Sequence, residues 1–75
     1  MFQMMDFQDF NKKIRERIKY LRQKKGHTQE QMADFGINCR QYQRIESGET
    51  VNVTIANLYK IAKAFKVKVQ EIVKE

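Results

Sequence analysis

Apolar residues recur at intervals of three and four along the first third of the chain. They follow the period of a helix with one buried face: Phe7, Phe10, Ile14, Ile18 and Leu21. Gly26 then follows a basic turn, at the position where a left-handed residue ends many helices. The pattern predicts a first helix that starts within an N-terminal extension, residues 1–11, and ends before Gly26. Because Phe7 and Phe10 continue the stripe, core or dimer contact is favoured over a tag remnant for this extension.

Two short helices are predicted next. Thr28 is a good N-terminal cap, and Gln31 three residues later completes the pattern of a capping box. Gly36 ends this second helix. A third helix starts near Asn38, another capping residue, and ends at Gly48. The apolar side chains of the two helices are expected to face each other, with Tyr42 and Ile45 packed against Met32, Ala33 and Ile37.

The last third of the chain repeats the helical period. Thr54 is a cap for a fourth helix, whose buried stripe is expected to comprise Ile55, Leu58, Ile61, Ala62 and Phe65. A fifth helix is predicted from about Val69 to Lys74. The alternation of lysine and valine over residues 66–69 also fits a short strand, but so few residues do not outweigh the helical context.

The composition agrees with a single all-α domain over residues 1–75. The chain has no proline, and each of its three glycines lies just past a predicted helix end. A chain this short buries only a small core, and oligomerisation commonly adds to it. No apolar run approaches the roughly 20 residues that span a bilayer, and an N-terminus containing Asp6 and Asp9 does not fit a secretion signal. We therefore expect no membrane partner.

The net charge of +6 is concentrated in one segment. Residues 12–25 hold eight Lys or Arg and one Glu, whereas residues 1–11 and 26–59 are each net negative. A basic domain suggests a polyanionic partner, although a solvated helix face explains the same pattern. If the partner is DNA, one or two residues of the first helix are expected to touch phosphate, the candidates being Lys12, Lys13, Arg15 and Lys19.

The third helix carries the candidate chemistry. On a helical wheel its apolar side chains point one way, and the opposite side presents Arg40, Gln43, Arg44 and Ser47. Arginine matches guanine O6 and N7, and glutamine matches adenine N6 and N7, in a major groove wide enough for a helix. An ordinary amphipathic helix with a solvated outer face would show the same arrangement.

Several sequence runs in this region resemble the Cro/phage-repressor helix-turn-helix family. They are Thr28-Gln29-Glu30-Gln31-Met32-Ala33, Gly36-Ile37 and Arg44-Ile45-Glu46-Ser47-Gly48. Residues 21–26 resemble the end of that family's first helix, and residues 58–67 its fourth helix and the start of the fifth. The resemblance covers about residues 12–73. It implies a compact five-helix, lambda-repressor-like fold in which residues 28–48 form the helix-turn-helix and a recognition helix at about 38–47 reads double-stranded DNA.

The resemblance also implies roles for single residues. Gln29 corresponds to a position that meets the DNA backbone, where free N–H groups at a helix start suit phosphate. Arg22 and Glu46 correspond to a partly buried ion pair between the first helix and the end of the recognition helix. Ala33 corresponds to a small residue where the second and third helices cross. The positions that correspond to contacts with base edges are Cys39, Arg40 and Arg44, and Gln41 corresponds to one that meets a base or a phosphate.

The helix-turn-helix itself departs from the family pattern in two places. The segment between Ala33 and Gly36 is one residue shorter than usual, which bears on where the second helix ends and how the third is tilted. Tyr42 is bulkier than the usual aliphatic residue, so its hydroxyl is expected to emerge and touch a phosphate.

The flanking segments depart as well. Lys66 and Lys68 replace the usual glycine and the usual cap residue before the last helix. The loop of residues 49–53 lacks Lys and Arg. Backbone amides, with Asn52 or Thr54, would therefore have to contact phosphate there.

The remaining reactive residues give no sign of catalysis. A single Cys39 and a single His27 provide neither an internal disulfide nor a zinc site. The sequence has no Gly-rich phosphate loop, metal-spaced cluster or catalytic triad, so no enzyme activity, metal or cofactor is expected. Cys39 at a helix start could act as a redox switch, but a small contact residue is the simpler interpretation. His27 is expected to be a polar turn residue.

These features together predict a transcription regulator, most simply a repressor. It would bind a roughly palindromic operator as a homodimer. We expect a prokaryotic or phage-encoded protein that lies in the cytoplasm and is associated with the nucleoid when bound. The dimer contact is expected to involve Val67, Val69, Ile72, Val73, Phe2 and Phe7.

Two other functions remain open. One is a protein-interaction module, such as an antitoxin, with a toxin or a polymerase as its partner. The other is RNA binding, for which the sequence shows no evident aromatic stacking platform. A phage repressor, a restriction–modification controller and a housekeeping regulator fit the sequence equally well.

Overall fold

Five helices make up the regular structure of the computed structural model, which describes residues 6–48 and 53–74. They are α1 (Phe7–Lys25), a 3₁₀ helix (Glu30–Phe35), α2 (Cys39–Ser47), α3 (Ile55–Phe65) and α4 (Val69–Val73). The predicted all-α, five-helix fold is therefore confirmed, and α2 is the predicted third helix. The strand considered for residues 66–69 is wrong.

Side-chain caps explain where three of the helices begin. The Asp6 carboxylate accepts a hydrogen bond from the Gln8 amide at 3.1 Å at the start of α1. Asn38 Oδ1 accepts from the backbone of the next turn of α2, at 2.9 and 3.3 Å. Thr54 Oγ1 accepts from the Asn57 amide at 3.1 Å at the start of α3. Each cap satisfies N–H groups that a helix leaves without an internal partner.

The second helix is a 3₁₀ helix rather than the expected α-helix. The capping box forms, since Thr28 N donates to Gln31 Oε1 at 2.8 Å and Gln31 N donates to Thr28 Oγ1 at 3.2 Å. The helix itself begins two residues after Thr28. A 3₁₀ helix rises about 2.0 Å per residue, against about 1.5 Å in an α-helix. Six residues therefore cover the length of about eight, and the greater rise offsets the missing residue before Gly36.

All five helices contribute to one core. Its fully buried members include Ile18, Met32, Ile37, Tyr42, Ile45, Ile61, Phe65 and Ile72. Two predicted core positions are wrong. Ile55 is 85% exposed, because it lies at the edge of the α3 face that Leu58, Ile61 and Phe65 turn to the core. Ala33 is exposed, because Met32 takes the inward position and the next residue of a 3₁₀ helix points about 120° away.

The final helix packs back on α1. Lys66 ends α3 with φ 57°, in the left-handed region that the replaced glycine would favour. Arg17 Nη1 donates to the carbonyl oxygens of Ile72 at 3.4 Å and Lys74 at 2.5 Å, at the end of α4. Ile72 is fully buried inside the chain. Its predicted part in a dimer contact is therefore wrong.

Candidate nucleic-acid interface

The outer face of α2 brings together four of the predicted site residues. All four are exposed, and they line one shallow depression of about 270 Å³: Arg40, Gln43, Arg44 and Ser47. Ser47 Oγ donates to the Arg44 carbonyl oxygen at 3.2 Å. The depression therefore offers two guanidinium groups and an amide on a single helix face, which are the groups that read purine edges.

The opposite face of α2 fixes the helix on the fold. Tyr42 and Ile45 are fully buried. At the start of the helix, Cys39 is half-buried and Gln41 is exposed, and neither lines the depression on the outer face. A helix with an immobile back presents its outer side chains from a rigid support, which reduces the ordering needed on binding.

Arg22 and Glu46 join α1 to the end of α2. Arg22 Nε lies 2.6 Å from Glu46 Oε2, and Nη2 lies 3.1 Å from Oε1, which makes the pair bidentate. Their side chains are only 12% and 4% exposed. Arg22 Nη1 also donates to the carbonyl oxygen of His27 at 2.9 Å. The same guanidinium thus holds α1, the connection to the 3₁₀ helix, and α2.

Gln29 belongs to this cluster as well. Its Nε2 donates to Glu46 Oε1 at 3.1 Å. The side chain that was expected to meet the DNA backbone is therefore directed at the end of α2. A phosphate contact by Gln29 stays a prediction.

The electrostatics of the cluster keep Glu46 ionised. Burial acts to raise the pKa of the Glu46 carboxyl, but hydrogen bonds from Arg22 and Gln29 and the nearby Tyr42 hydroxyl outweigh it, so that the pKa lies below its ordinary 4.5. The hydrogen bond to Glu46 raises the pKa of Arg22, although burial opposes this. Both groups are therefore charged at neutral pH.

Tyr42 does not reach the surface, so its predicted phosphate contact is wrong. The side chain is fully buried, and its hydroxyl forms no hydrogen bond of good geometry with the described residues. The hydroxyl lies in the field of the Glu46 carboxylate, and burial followed by that charge raises the pKa of Tyr42 above its ordinary value of 10. The bulk of the ring goes into the core behind α2.

His27 does more than form a turn. Its ring stacks on Phe65 at a centroid distance of 6.0 Å and meets the edge of Phe35 at 5.7 Å. The imidazole therefore joins the α1 connection to the 3₁₀ helix and to α3. Sequence reasoning missed this role because Phe65 is distant along the chain, and only the aromatic character of all three residues hinted at it.

Two further predicted phosphate-contact residues, Asn52 and Thr54, lie between α2 and α3 in the sequence. Thr54 is exposed, and its hydroxyl oxygen caps α3. Asn52 lies outside the described residues, as does Phe2 of the predicted dimer contact.

The basic residues of α1 divide into two groups. Lys12, Lys13 and Lys19 are exposed. Arg15 and Arg17 instead make contacts within the fold, to Gly48 and to the end of α4. Among residues 6–48 and 53–74, no group of three His, Cys, Asp or Glu side chains could hold a metal ion, and no helix is long and apolar enough to cross a membrane.

Comparison with known proteins identifies the family. A family model described as helix-turn-helix, of the Cro/C1 type, matches residues 18–72, well over half of the chain. The match includes the 3₁₀ helix, α2 and α3, and it confirms the resemblance seen in the sequence. No curated protein and no solved structure matches the chain. The chain belongs to the Cro/C1-type helix-turn-helix family of DNA-binding transcription regulators.

Proposed function

We propose that this protein is a repressor that binds a specific double-stranded DNA sequence by placing α2 in the major groove. The observation that carries the proposal is the outer face of α2, where Arg40, Gln43, Arg44 and Ser47 line one depression. The buried back of the helix and the ion pair at its end support it. Occupying a promoter would exclude polymerase without any further activity.

The side chains suggest how sequence would be read. Arg40 and Arg44 can each form two hydrogen bonds with a guanine, and Gln43 can do so with an adenine. Cys39 and Gln41 flank these contacts at the start of α2. Gln29, Asn52 and Thr54 are the candidates for phosphate contacts, which fix register without reading sequence.

We further propose that the protein binds DNA as a homodimer. Only some of the residues predicted from the sequence for the dimer contact would take part in it. Phe7 and Val73 line an apolar groove of about 170 Å³ without a charged side chain, together with Phe10, Asn11, Ile14, Val53 and Leu58. Val67 and Val69 line a different depression, which also contains Lys63 and Lys68. A two-fold contact places each surface against its own copy. The second depression would therefore bring like charges together, and the first would not.

Selection from random duplex DNA tests the proposal. One sequence family should be enriched, with two half-sites about one helical turn apart. Arg40→Ala and Arg44→Ala should each weaken binding to the selected site by about 1–3 kcal/mol and relax the preference for one base.

Lys63→Ala is the matched control for loss of one positive charge. Lys63 is exposed on α3 and does not line the depression on α2. Lys63→Ala should leave the base preference of the protein unchanged. If Arg40→Ala and Arg44→Ala bind the selected site as tightly as the unaltered protein, α2 is not the recognition helix.

One surface favours a second candidate function, a protein-interaction module. Tyr59 is 60% exposed and Phe35 is 36% exposed. They line a depression of about 440 Å³ with Asp34, Lys60 and Lys63. Exposed aromatic side chains within a charged rim are typical of protein interfaces. This candidate predicts that selection enriches no DNA sequence.

A further inference from the structure

Two arginines on one side of α1 reach the last turn of α2. Arg15 and Arg22 are seven residues apart, which is two helical turns or about 10 Å along the axis. Arg22 holds Glu46. Arg15 lies against Gly48, where a Cβ atom would stand 2.5 Å from Nη1 and 3.0 Å from Cζ of the guanidinium. The end of the recognition helix is therefore in contact with α1 at two separate points.

Gly48 makes the Arg15 contact possible in two ways. Its φ of 87° ends α2 in the left-handed conformation that glycine adopts without strain. Its missing side chain also leaves the space in which the guanidinium lies. The C-terminal end of a helix carries partial negative charge, so a cation there is favourable.

The burial of Arg15 separates it from the other basic residues of α1. Its Nε atom is buried and forms no hydrogen bond with the described residues. Lys12, Lys13 and Lys19 are exposed. A side chain that served only to bind phosphate would gain nothing from burying Nε within the fold.

We propose that Arg15 is a positioning residue, which sets the tilt of α2 by holding its last turn against α1. Arg40 and Arg44 then meet base edges at the correct angle. This inference rests on the proposed DNA-binding function. Direct contact of Arg15 with a phosphate is the rival explanation, and it makes different predictions for salt dependence.

The test compares Arg15→Gln with the unaltered protein on the selected site and on unrelated DNA. Binding to the selected site should weaken about fivefold to tenfold, at the lower end of what loss of a base contact costs. Binding to unrelated DNA and the dependence of affinity on salt should not change. A phosphate ligand would instead weaken binding to both DNAs equally and reduce the salt slope by about 0.9. That result would overturn the proposal, as would an unchanged ratio of the two affinities.

Gly48→Ala provides a second variant, and Gly26→Ala is its matched control. Both glycines have positive φ, 87° and 79°, but a Cβ atom at Gly26 would meet nothing within 4 Å. Gly48→Ala should displace the guanidinium and lose as much specificity as Arg15→Gln. The double variant, Arg15→Gln with Gly48→Ala, should lose no more specificity than either single variant, because both substitutions remove the same contact. Additive losses would contradict the proposal, and so would an equal loss in Gly26→Ala.

Hydrogen exchange of the α2 amides gives a readout that needs no DNA. The amides of residues 45–48 should exchange faster in Arg15→Gln, while the circular dichroism spectrum shows that the fold is retained. If the unaltered protein selects no DNA, the proposed function fails, and faster exchange would still support the contact. Unchanged exchange would contradict the positioning role itself.

Discussion

At the scale of single residues, Glu46 joins three segments of the interface. It accepts hydrogen bonds from Arg22 and Gln29 and lies beside the hydroxyl of Tyr42. These groups come from α1, from the start of the 3₁₀ helix and from α2 itself. A buried charge of this kind contributes to geometry at least as much as to stability, because its partners lose water when they pair with it.

We expect Glu46→Gln to lower the free energy of unfolding at pH 7 by about 2 kcal/mol, as for other hydrogen bonds to charged groups. Because the pKa of Glu46 is lowered in the folded protein, its contribution is present above the ordinary value of 4.5 and is lost as the pH falls below it. The unaltered protein should therefore lose stability on acidification, and the variant should lose less. Urea unfolding between pH 3 and 7 measures this, with Glu30→Gln, an exposed position, as the control. If the free energy of unfolding fell equally with pH in the unaltered protein and in Glu46→Gln, the prediction would be contradicted.

At the scale of elements, the sequence predicted helix ends better than helix type. The caps at Asn38 and Thr54 and the left-handed glycines depend on a few neighbouring residues, so they could be predicted from the sequence. The 3₁₀ conformation could not be predicted, since it depends on the distance that the shortened segment must span. The roles of Tyr42 and His27 were misjudged, and the contact of Arg15 with Gly48 was missed, for a related reason. The burial of Tyr42 and the contacts of His27 with Phe65 and of Arg15 with Gly48 arise only through the packing of separate segments.

Lys66 allows a test of one helix end. We expect Lys66→Gly to raise the free energy of unfolding by about 1 kcal/mol, because a left-handed conformation costs about that much in a residue with a Cβ atom. Lys66→Ala removes the same charge but keeps a Cβ atom in the left-handed conformation, φ 57°. It should be neutral or destabilising, since alanine relieves no backbone strain there. Thermal unfolding of both variants measures the difference, and equal shifts would show that charge rather than backbone conformation is responsible.

At the scale of the whole molecule, the surfaces outside α2 differ in charge. The groove lined by Phe7 and Val73 is uncharged, whereas the depressions on either side of Tyr59 contain lysines. The dimer contact predicted from the apolar residues includes side chains of two separate surfaces and the buried Ile72. We propose that a second copy covers the groove lined by Phe7 and Val73, because that groove has no charged side chain.

We expect Phe7→Ser to weaken self-association and Tyr59→Ser to leave it unchanged. The two aromatic side chains are almost equally exposed, at 56% and 60%, so the loss of exposed apolar area is similar. Sedimentation of both variants over a range of concentrations, with and without the selected DNA, measures the difference. A stronger effect from Tyr59→Ser would place the dimer contact on the lysine-lined side.

The 3₁₀ helix bears on how this fold tolerates changes in chain length. Losing a residue from an α-helix normally rotates everything after it by about 100°, which would turn α2 away from its core contacts. Here a 3₁₀ helix spans the segment that is shorter than the family pattern, and Ile37 and Tyr42 are fully buried. A short helix between two fixed ends can therefore accept deletions that a long one such as α1 could not. Length variants are expected to accumulate in this helix and leave the recognition helix in place.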